Sequence, residues 1–189
     1  MTVTCPVQTE LKWPEAQIGQ RPSRAWCVGL PRGRKILQAL VVAFLFILGQ
    51  MAPHCYLTRV EQFSACHRLH SAQLDDATNE AVFGKCNNIN GHGHNYKLEV
   101  TLHGEVDCKT GMLMNISDLK KALNEVTDLL DHKNIDLDVA YFRDRNIVST
   151  VENICIFIWE QLLLKLPKNL LYEVKLWETD KNMAVYRGD

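Results

Sequence analysis

The alternation of apolar and polar residues predicts two β-strands near the middle of the chain. Residues 56–69, YLTRVEQFSACHRL, are rich in β-branched and aromatic side chains, and residues 96–106, YKLEVTLHGEV, alternate with a period of two. Both features are typical of strands that bury one face. The polar residues 71–83 between them predict a loop with some helical character.

Apolar residues at helical spacing predict two helices in the second half of the chain. Asn115 can cap the first helix, which covers residues 116–130. Its apolar stripe consists of Ile116, Leu119, Leu123, Val126 and Leu130. The second helix is predicted over residues 150–166, because Ser149 and Glu152 have the spacing of a capping box at its start.

Two further strands are predicted at the end of the chain, over residues 171–178 and 183–186, with a turn between them. The order strand, strand, helix, helix, strand, strand predicts an α+β fold. In this fold a four-stranded antiparallel sheet carries two antiparallel helices on one face. A chain of 189 residues is long enough for one such domain with a sizeable core.

Residues 1–55 do not follow this pattern. Residues 36–49, ILQALVVAFLFILG, are almost wholly apolar, but the run is shorter than the roughly 20 residues that span a bilayer. It also begins too far into the chain for a typical signal peptide. A membrane anchor, a buried helix and an extension outside the fold are the alternatives. We favour the extension, with Met51 as a candidate start, and place the domain at residues 56–189.

Composition excludes several classes of protein. A charged fraction of 23% and a hydrophobic fraction of 47% are those of an ordinary globular protein. The net charge of −1 gives no broad attraction to nucleic acid or to anionic membranes. The seven cysteines are scattered without a CxxC motif, which favours reduced thiols in the cytoplasm over a disulfide framework. Membrane contact is expected only if residues 36–49 act as an anchor.

The densest chemistry lies in residues 84–100, GKCNNINGHGHNYKLEV. On a strand, His92 and His94 would lie on the same face and point their rings at one place. The best third ligand is His67, near the end of the first strand, with His70 as a less suitable competitor. Three neutral imidazoles without a fourth protein ligand are typical of a catalytic zinc site. The sequence therefore predicts a Zn²⁺ cofactor.

Several motifs occur in a distinctive order, namely FSACHRLH, FGKCNNINGHGHNY, GMLMN, LDHKNID, STVEN and WETD. Together they resemble the 6-pyruvoyl-tetrahydropterin synthase family over residues 56–189. The resemblance implies a tunnelling fold, a homohexamer built as a dimer of trimers, and a zinc-dependent lyase. This lyase converts 7,8-dihydroneopterin triphosphate to 6-pyruvoyl-tetrahydropterin plus triphosphate in tetrahydrobiopterin biosynthesis. Ile89 and Val151 replace a proline and a threonine that are usual in the family.

The same resemblance implies a catalytic triad of Cys86, Asp131 and His132. The residue types suit this role, because a thiol becomes a useful base when a neighbouring histidine lowers its pKa. An aspartate can orient that histidine. Without the resemblance, the C-terminal end of a helix would be the favoured interpretation of Asp131 and His132.

Substrate binding is implied for Glu178, Glu152 and Thr150. Alternation places Glu178 on the apolar face of its strand, where an unpaired carboxylate is costly. Hydrogen bonds from a pterin to both carboxylate oxygens would explain the position, and the family's pterin anchor falls there. A strand-end glutamate that faces solvent is the alternative. Glu152 fits a pterin contact and a helix cap equally well.

Two other functions stay open. A 6-carboxy-tetrahydropterin synthase-type lyase would have its cysteine closer to the HxH motif, whereas five residues separate Cys86 from His92 here. A non-catalytic, zinc-stabilised pterin-binding module would not need Cys86 or the Asp131–His132 pair. The sequence therefore favours the pyruvoyl enzyme.

Overall fold

A computed structural model describes residues 52–189 of the chain. The predictions for residues 1–51, including the apolar run, lie outside the described residues. The strands are β1 (His54–His67), β2 (His92–Glu105), β3 (Lys133–Asn134), β4 (Leu171–Trp177) and β5 (Met183–Tyr186). The helices are α1 (Asp76–Phe83), α2 (Ile116–Thr127), α3 (Ile135–Asp138), α4 (Ala140–Arg143) and α5 (Val151–Leu163). In this part of the chain, no helix has both the length and the apolar character that crossing a membrane requires.

The strands form one sheet in the order β3-β1-β2-β4-β5. Strands β1, β2, β4 and β5 pair in antiparallel fashion, as predicted. The sheet also contains the two-residue strand β3, which pairs in parallel with Ala65 and Cys66 of β1. Two residues are too few to show a periodic pattern, so this edge strand was not predicted. The α+β architecture with its antiparallel sheet is confirmed.

The core lies between one face of the sheet and the helices α2 and α5. Alternate residues of β2 are fully buried there, and so are the inward residues of the two helices. These buried positions include Tyr96, Leu98, Val100, Leu102, Leu119, Leu123, Val126, Ile154, Ile158 and Leu162. The predicted stripe is therefore buried apart from Ile116, which is 56% exposed in the first turn, but α2 ends at Thr127, so the buried Leu130 lies beyond the helix.

Element boundaries differ from the prediction in ways that matter for chemistry. Strand β2 begins at His92 rather than Tyr96, so both histidines of the HxH motif belong to the strand. The predicted capping box is wrong, because the N-cap of α5 is Thr150 and its Oγ accepts from Asn153 N. Ser149 is instead fully buried and contacts His67 and Asp136. The polar loop after β1 contains the full helix α1.

Asn79 organises the segment between β1 and β2. It is fully buried in α1, and its Oδ1 accepts a hydrogen bond from Ser71 N at 2.8 Å. Its Nδ2 lies 3.0 Å from the carbonyl oxygens of Ser71, Leu74 and Asp75. One buried amide thus makes hydrogen bonds to four backbone groups of residues 71–75, and for Ser71 N and Leu74 O it is the partner that the structure records. It also fixes the approach to the 3₁₀ turn at Gly84–Asn87.

We expect Asn79→Ala to lower the free energy of unfolding by about 2 kcal/mol, because the four backbone groups that the buried amide binds would each lose a hydrogen bond. In a protein of this size the melting temperature would fall by about 5 °C. Urea denaturation followed by circular dichroism measures the change. Asn124→Ala is the matched control, since Asn124 lies exposed on α2. An equal loss in both variants would contradict the role of Asn79.

Candidate metal centre and active site

Three histidines meet at one end of the sheet. His67, the last residue of β1, is the direct partner of His92, the first residue of β2. His94 lies two residues further along β2 and therefore on the same face. The ring centroids are 4.6 Å apart for His67 and His92, 5.2 Å for His67 and His94, and 5.0 Å for His92 and His94. One nitrogen of each ring lies within 4.8 Å of the others.

The three rings fit a divalent metal ion. Each has a buried nitrogen without a hydrogen-bond partner among the described residues, namely His67 Nε2, His92 Nδ1 and His94 Nε2. Because His67 Nδ1 lies 2.7 Å from the carbonyl oxygen of Ser149, Nδ1 carries the proton and Nε2 keeps its lone pair. Burial lowers the pKa of His67 and of His94, which favours the neutral rings that a metal needs.

A second layer of contacts holds His67. Ser149 Oγ donates to Asp136 Oδ1 at 2.5 Å, and the backbone N–H of Arg68 donates to Asp136 Oδ2 at 2.6 Å. The carboxylate of Asp136 therefore links Arg68, the residue after His67, to Ser149, whose carbonyl oxygen orients the His67 ring. Neither Asp136 nor Ser149 was predicted as a site residue. The only signal was the position of Ser149 before a helix, and this suggested a cap.

Glu178 faces the same cluster. It follows the last residue of β4, on the face where Val174 and Leu176 are fully buried, as alternation predicts. Its side chain is 17% exposed, and Oε1 lies 3.7 Å from His67 Nε2 and 3.8 Å from His94 Nε2. The sequence suggested a contact with substrate at this position, but gave no sign that the carboxylate borders the metal cluster.

Asp131 and His132 form a pair beside the edge of β1. Asp131 Oδ1 accepts from Ser64 N at 2.8 Å, and Oδ2 lies 2.8 Å from His132 Nδ1. The hydrogen bond from Ser64 N, with help from His132, lowers the pKa of Asp131. His132 donates its own N–H to Ser64 O and has a positive φ of 56°. With this backbone geometry the His132 side chain extends into solvent and is 83% exposed.

Cys86 lies in the 3₁₀ turn that precedes β2 and is half-buried. Its carbonyl oxygen accepts from Leu69 N at 2.9 Å, which attaches the turn to the chain just beyond His67. Within residues 52–189, no hydrogen bond or ion pair joins the Cys86 thiol to Asp131 or His132. A single chain thus does not connect the three predicted triad members by direct contact.

The other predicted site residues lie at the start of α5. Thr150 uses its hydroxyl as the helix cap, and Glu152 is exposed in the first turn. Neither makes a hydrogen bond or ion pair with the histidine cluster in the described part of the chain. An open cleft of about 390 Å³ has both His94 and His132 in its lining. Of the predicted site residues, only these two line the cleft, and its other walls come from residues such as Cys66, Gly93 and Asn95, which alternate with the three histidines along the strands.

The fold and the site together define an α+β protein with three histidines at one end of its sheet, arranged so that they could hold a metal ion. The sequence model of the family described as 6-pyruvoyl tetrahydropterin synthase matches residues 56–189. The chain belongs to this family, whose members are enzymes with the tunnelling fold.

Individual relatives agree with this assignment. The chain is 57% identical over 135 residues to the 6-pyruvoyl tetrahydrobiopterin synthase of Poecilia reticulata, covering 71% of this chain and 90% of that protein. It is 54% identical over 134 residues to the synthase of Homo sapiens, covering 70% and 91%. The solved structure of Caenorhabditis elegans 6-pyruvoyl tetrahydropterin synthase superposes with a TM-score of 0.70 at 47% identity, covering 73% of this chain and 98% of that one.

We expect Asp136→Ala to weaken zinc binding by about tenfold or more, because the support of a metal-ligating histidine would be lost. Competition with a chromogenic chelator measures the dissociation constant. Asp128→Ala is the control, since Asp128 is an exposed residue at the end of α2. Unchanged zinc affinity in a folded Asp136→Ala protein would show that Asp136 does not support the site.

Proposed function

We propose that the chain is a zinc-dependent 6-pyruvoyl-tetrahydropterin synthase. Its reaction would convert 7,8-dihydroneopterin triphosphate to 6-pyruvoyl-tetrahydropterin plus triphosphate, in tetrahydrobiopterin biosynthesis. The observation that carries the proposal is the cluster of His67, His92 and His94, each with a buried and unpartnered ring nitrogen. Family membership supplies the reaction, and the cluster supplies the means to activate the substrate.

The histidine cluster would hold the zinc ion. When bound there, zinc would polarise the side-chain oxygens of the substrate and so acidify the adjacent C–H bond. The hydrogen bond from His67 Nδ1 to Ser149 O keeps the ring in the tautomer that a ligand requires. Burial of the cluster restricts water near the reacting carbon.

Glu178 would anchor the pterin. A carboxylate can accept hydrogen bonds from the ring N–H and the amino group of a pterin at the same time. The position of Glu178 next to His67 and His94 would then hold the pterin ring beside the metal centre. Thr150 and Glu152 remain candidates for further pterin contacts at the start of α5.

Cys86 would remove the carbon-bound proton, and the Asp131–His132 pair would accept and return it. Asp131 orients the imidazole at Nδ1, so Nε2 is free to exchange a proton. Because His132 is 83% exposed, it needs a cover that excludes bulk water during proton transfer. We infer that another subunit of a homohexamer, a dimer of trimers, supplies this cover and brings its Cys86 to the pair. Both the assembly and the cytoplasmic location stay predictions.

Product analysis tests the overall reaction. The purified full-length chain, loaded with zinc and given 7,8-dihydroneopterin triphosphate, is expected to release triphosphate and 6-pyruvoyl-tetrahydropterin. Chromatography with mass detection identifies both. Acetaldehyde with a carboxylated pterin would instead indicate a 6-carboxy-tetrahydropterin synthase. Binding of the pterin without any product would indicate a non-catalytic pterin-binding module.

Replacement of the thiol tests the proposed base. Cys86→Ala is expected to lower kcat by at least about 100-fold while zinc stays bound, because the thiol acts on a proton and does not ligate the metal. Cys55→Ala is the matched control, since Cys55 is also half-buried but lies at the opposite end of β1 from His67. Full turnover by zinc-loaded Cys86→Ala would remove Cys86 from the mechanism.

A further inference from the structure

The carboxylate of Glu178 lies in an electrostatic position that the role of pterin anchor does not explain. Oε1 is 3.7 Å from His67 Nε2 and 3.8 Å from His94 Nε2, and the side chain is 17% exposed. Within residues 52–189, no hydrogen-bond donor reaches this carboxylate. The backbone N–H of Glu178 donates to Asn182 O and therefore does not stabilise the carboxylate.

The neighbouring rings cannot act as donors while they serve as metal ligands. The N–H of His67 is used on Ser149 O, so its Nε2 presents a lone pair to the carboxylate. His94 Nε2 is likewise buried without a hydrogen-bond partner. The lone pair of His67 Nε2, the unpartnered Nε2 of His94 and a carboxylate oxygen therefore converge on one small volume. Such an arrangement is unfavourable unless a cation occupies the space between them.

The distances from Glu178 to two of the three histidines are close to those between ligands of one metal ion, and a small movement of the side chain would bring its carboxylate toward the group formed by His67, His92 and His94. Bonds of 2.0–2.1 Å at tetrahedral angles place neighbouring ligand atoms about 3.4 Å apart. The separations of Oε1 from the two histidine nitrogens, 3.7 and 3.8 Å, exceed this spacing by only a few tenths of an ångström. His67, His92 and His94 supply three ligands, and tetrahedral zinc takes a fourth. Among the described residues, Glu178 is the acidic residue whose carboxylate lies beside the histidine nitrogens and could serve as the fourth ligand.

We propose that Glu178 has two alternative partners. Without substrate, its carboxylate is the fourth ligand of the ion held by His67, His92 and His94. When a pterin binds, its ring N–H groups donate hydrogen bonds to the Glu178 carboxylate, which leaves the metal ion. The fourth coordination position is then open to the substrate. This exchange rests on the proposed function, because it needs both a metal at the cluster and a pterin at Glu178.

The exchange has a thermodynamic consequence. If zinc and the pterin ring compete for one carboxylate, each weakens the binding of the other by the same factor. An anchor that never touched the metal would produce no such coupling. A pterin without a side chain isolates the effect, because it has no hydroxyl groups that could ligate zinc.

The first measurement is the zinc dissociation constant of the full-length chain, by chelator competition without pterin. Glu178→Gln is expected to bind zinc at least about tenfold more weakly than the wild type. Glu173→Gln is the matched control and is expected to bind zinc as the wild type does. Glu173 also lies on β4 and is 13% exposed, but it points to the other face and pairs with Arg187.

The second measurement repeats the titration with saturating unsubstituted pterin. Zinc binding to the wild type is expected to weaken about fivefold or more, whereas Glu178→Gln should show no change. Glu178→Asp keeps the charge but retracts the carboxylate by one methylene, and is expected to bind zinc less tightly than the wild type. It serves as the second variant if Glu178→Gln does not fold, as judged by its thermal melt.

The outcomes separate this inference from the proposed function. Equal zinc affinity in the wild type and in folded Glu178 variants would overturn the fourth-ligand role and leave the three-histidine site intact. Weaker zinc binding in the variants, but no effect of pterin on the wild type, would overturn the exchange. A wild-type chain that binds no zinc would overturn both the exchange and the proposed zinc enzyme.

Discussion

The register between β1 and β2 is the constraint on which the site depends. His67 lies directly opposite His92, and the period of two then brings His94 to the same face. A slip of one residue would turn the whole HxH face away from His67. The register is held by the core, because Phe63 stacks on Tyr96 with ring centroids 4.9 Å apart. The metal centre is therefore positioned by hydrophobic packing.

Tyr96 also packs beneath the histidine cluster, so the same hydrophobic core supports the site. Tyr96 is fully buried, and its ring lies 5.6 Å from His94 and 6.3 Å from His67, measured between centroids. Burial raises the pKa of Tyr96, and the nearby charges of Glu178 and Asp136 add to this effect, so the phenol stays neutral. An apolar floor under the imidazoles strengthens every charge interaction above it, because the local dielectric constant is low.

Periodic features were predictable from the sequence, and contacts between loops were not. The four longer strands, the helices α2 and α5, and the shared face of His92 and His94 follow from spacings of two or of three to four residues, and His67 follows from its place near the end of the first strand. The side of β4 on which Glu178 lies follows in the same way. The contacts of Asp136, Ser149 and Asn79 join segments without periodicity, so no local pattern could reveal them. The positive φ of His132 is equally invisible in the sequence.

The histidine cluster and the Asp131–His132 pair differ in how far they are exposed to solvent. The three rings of the histidine cluster come from β1 and β2 of one chain, and the carbonyl of Ser149 orients the ring of His67. The Asp131–His132 pair is anchored just as firmly, through Ser64, yet its imidazole extends into solvent. An acid–base group works best where water is excluded. The fold thus places the histidine cluster at the end of the sheet, with His67 fully buried, and leaves the Asp131–His132 pair at the surface of the chain.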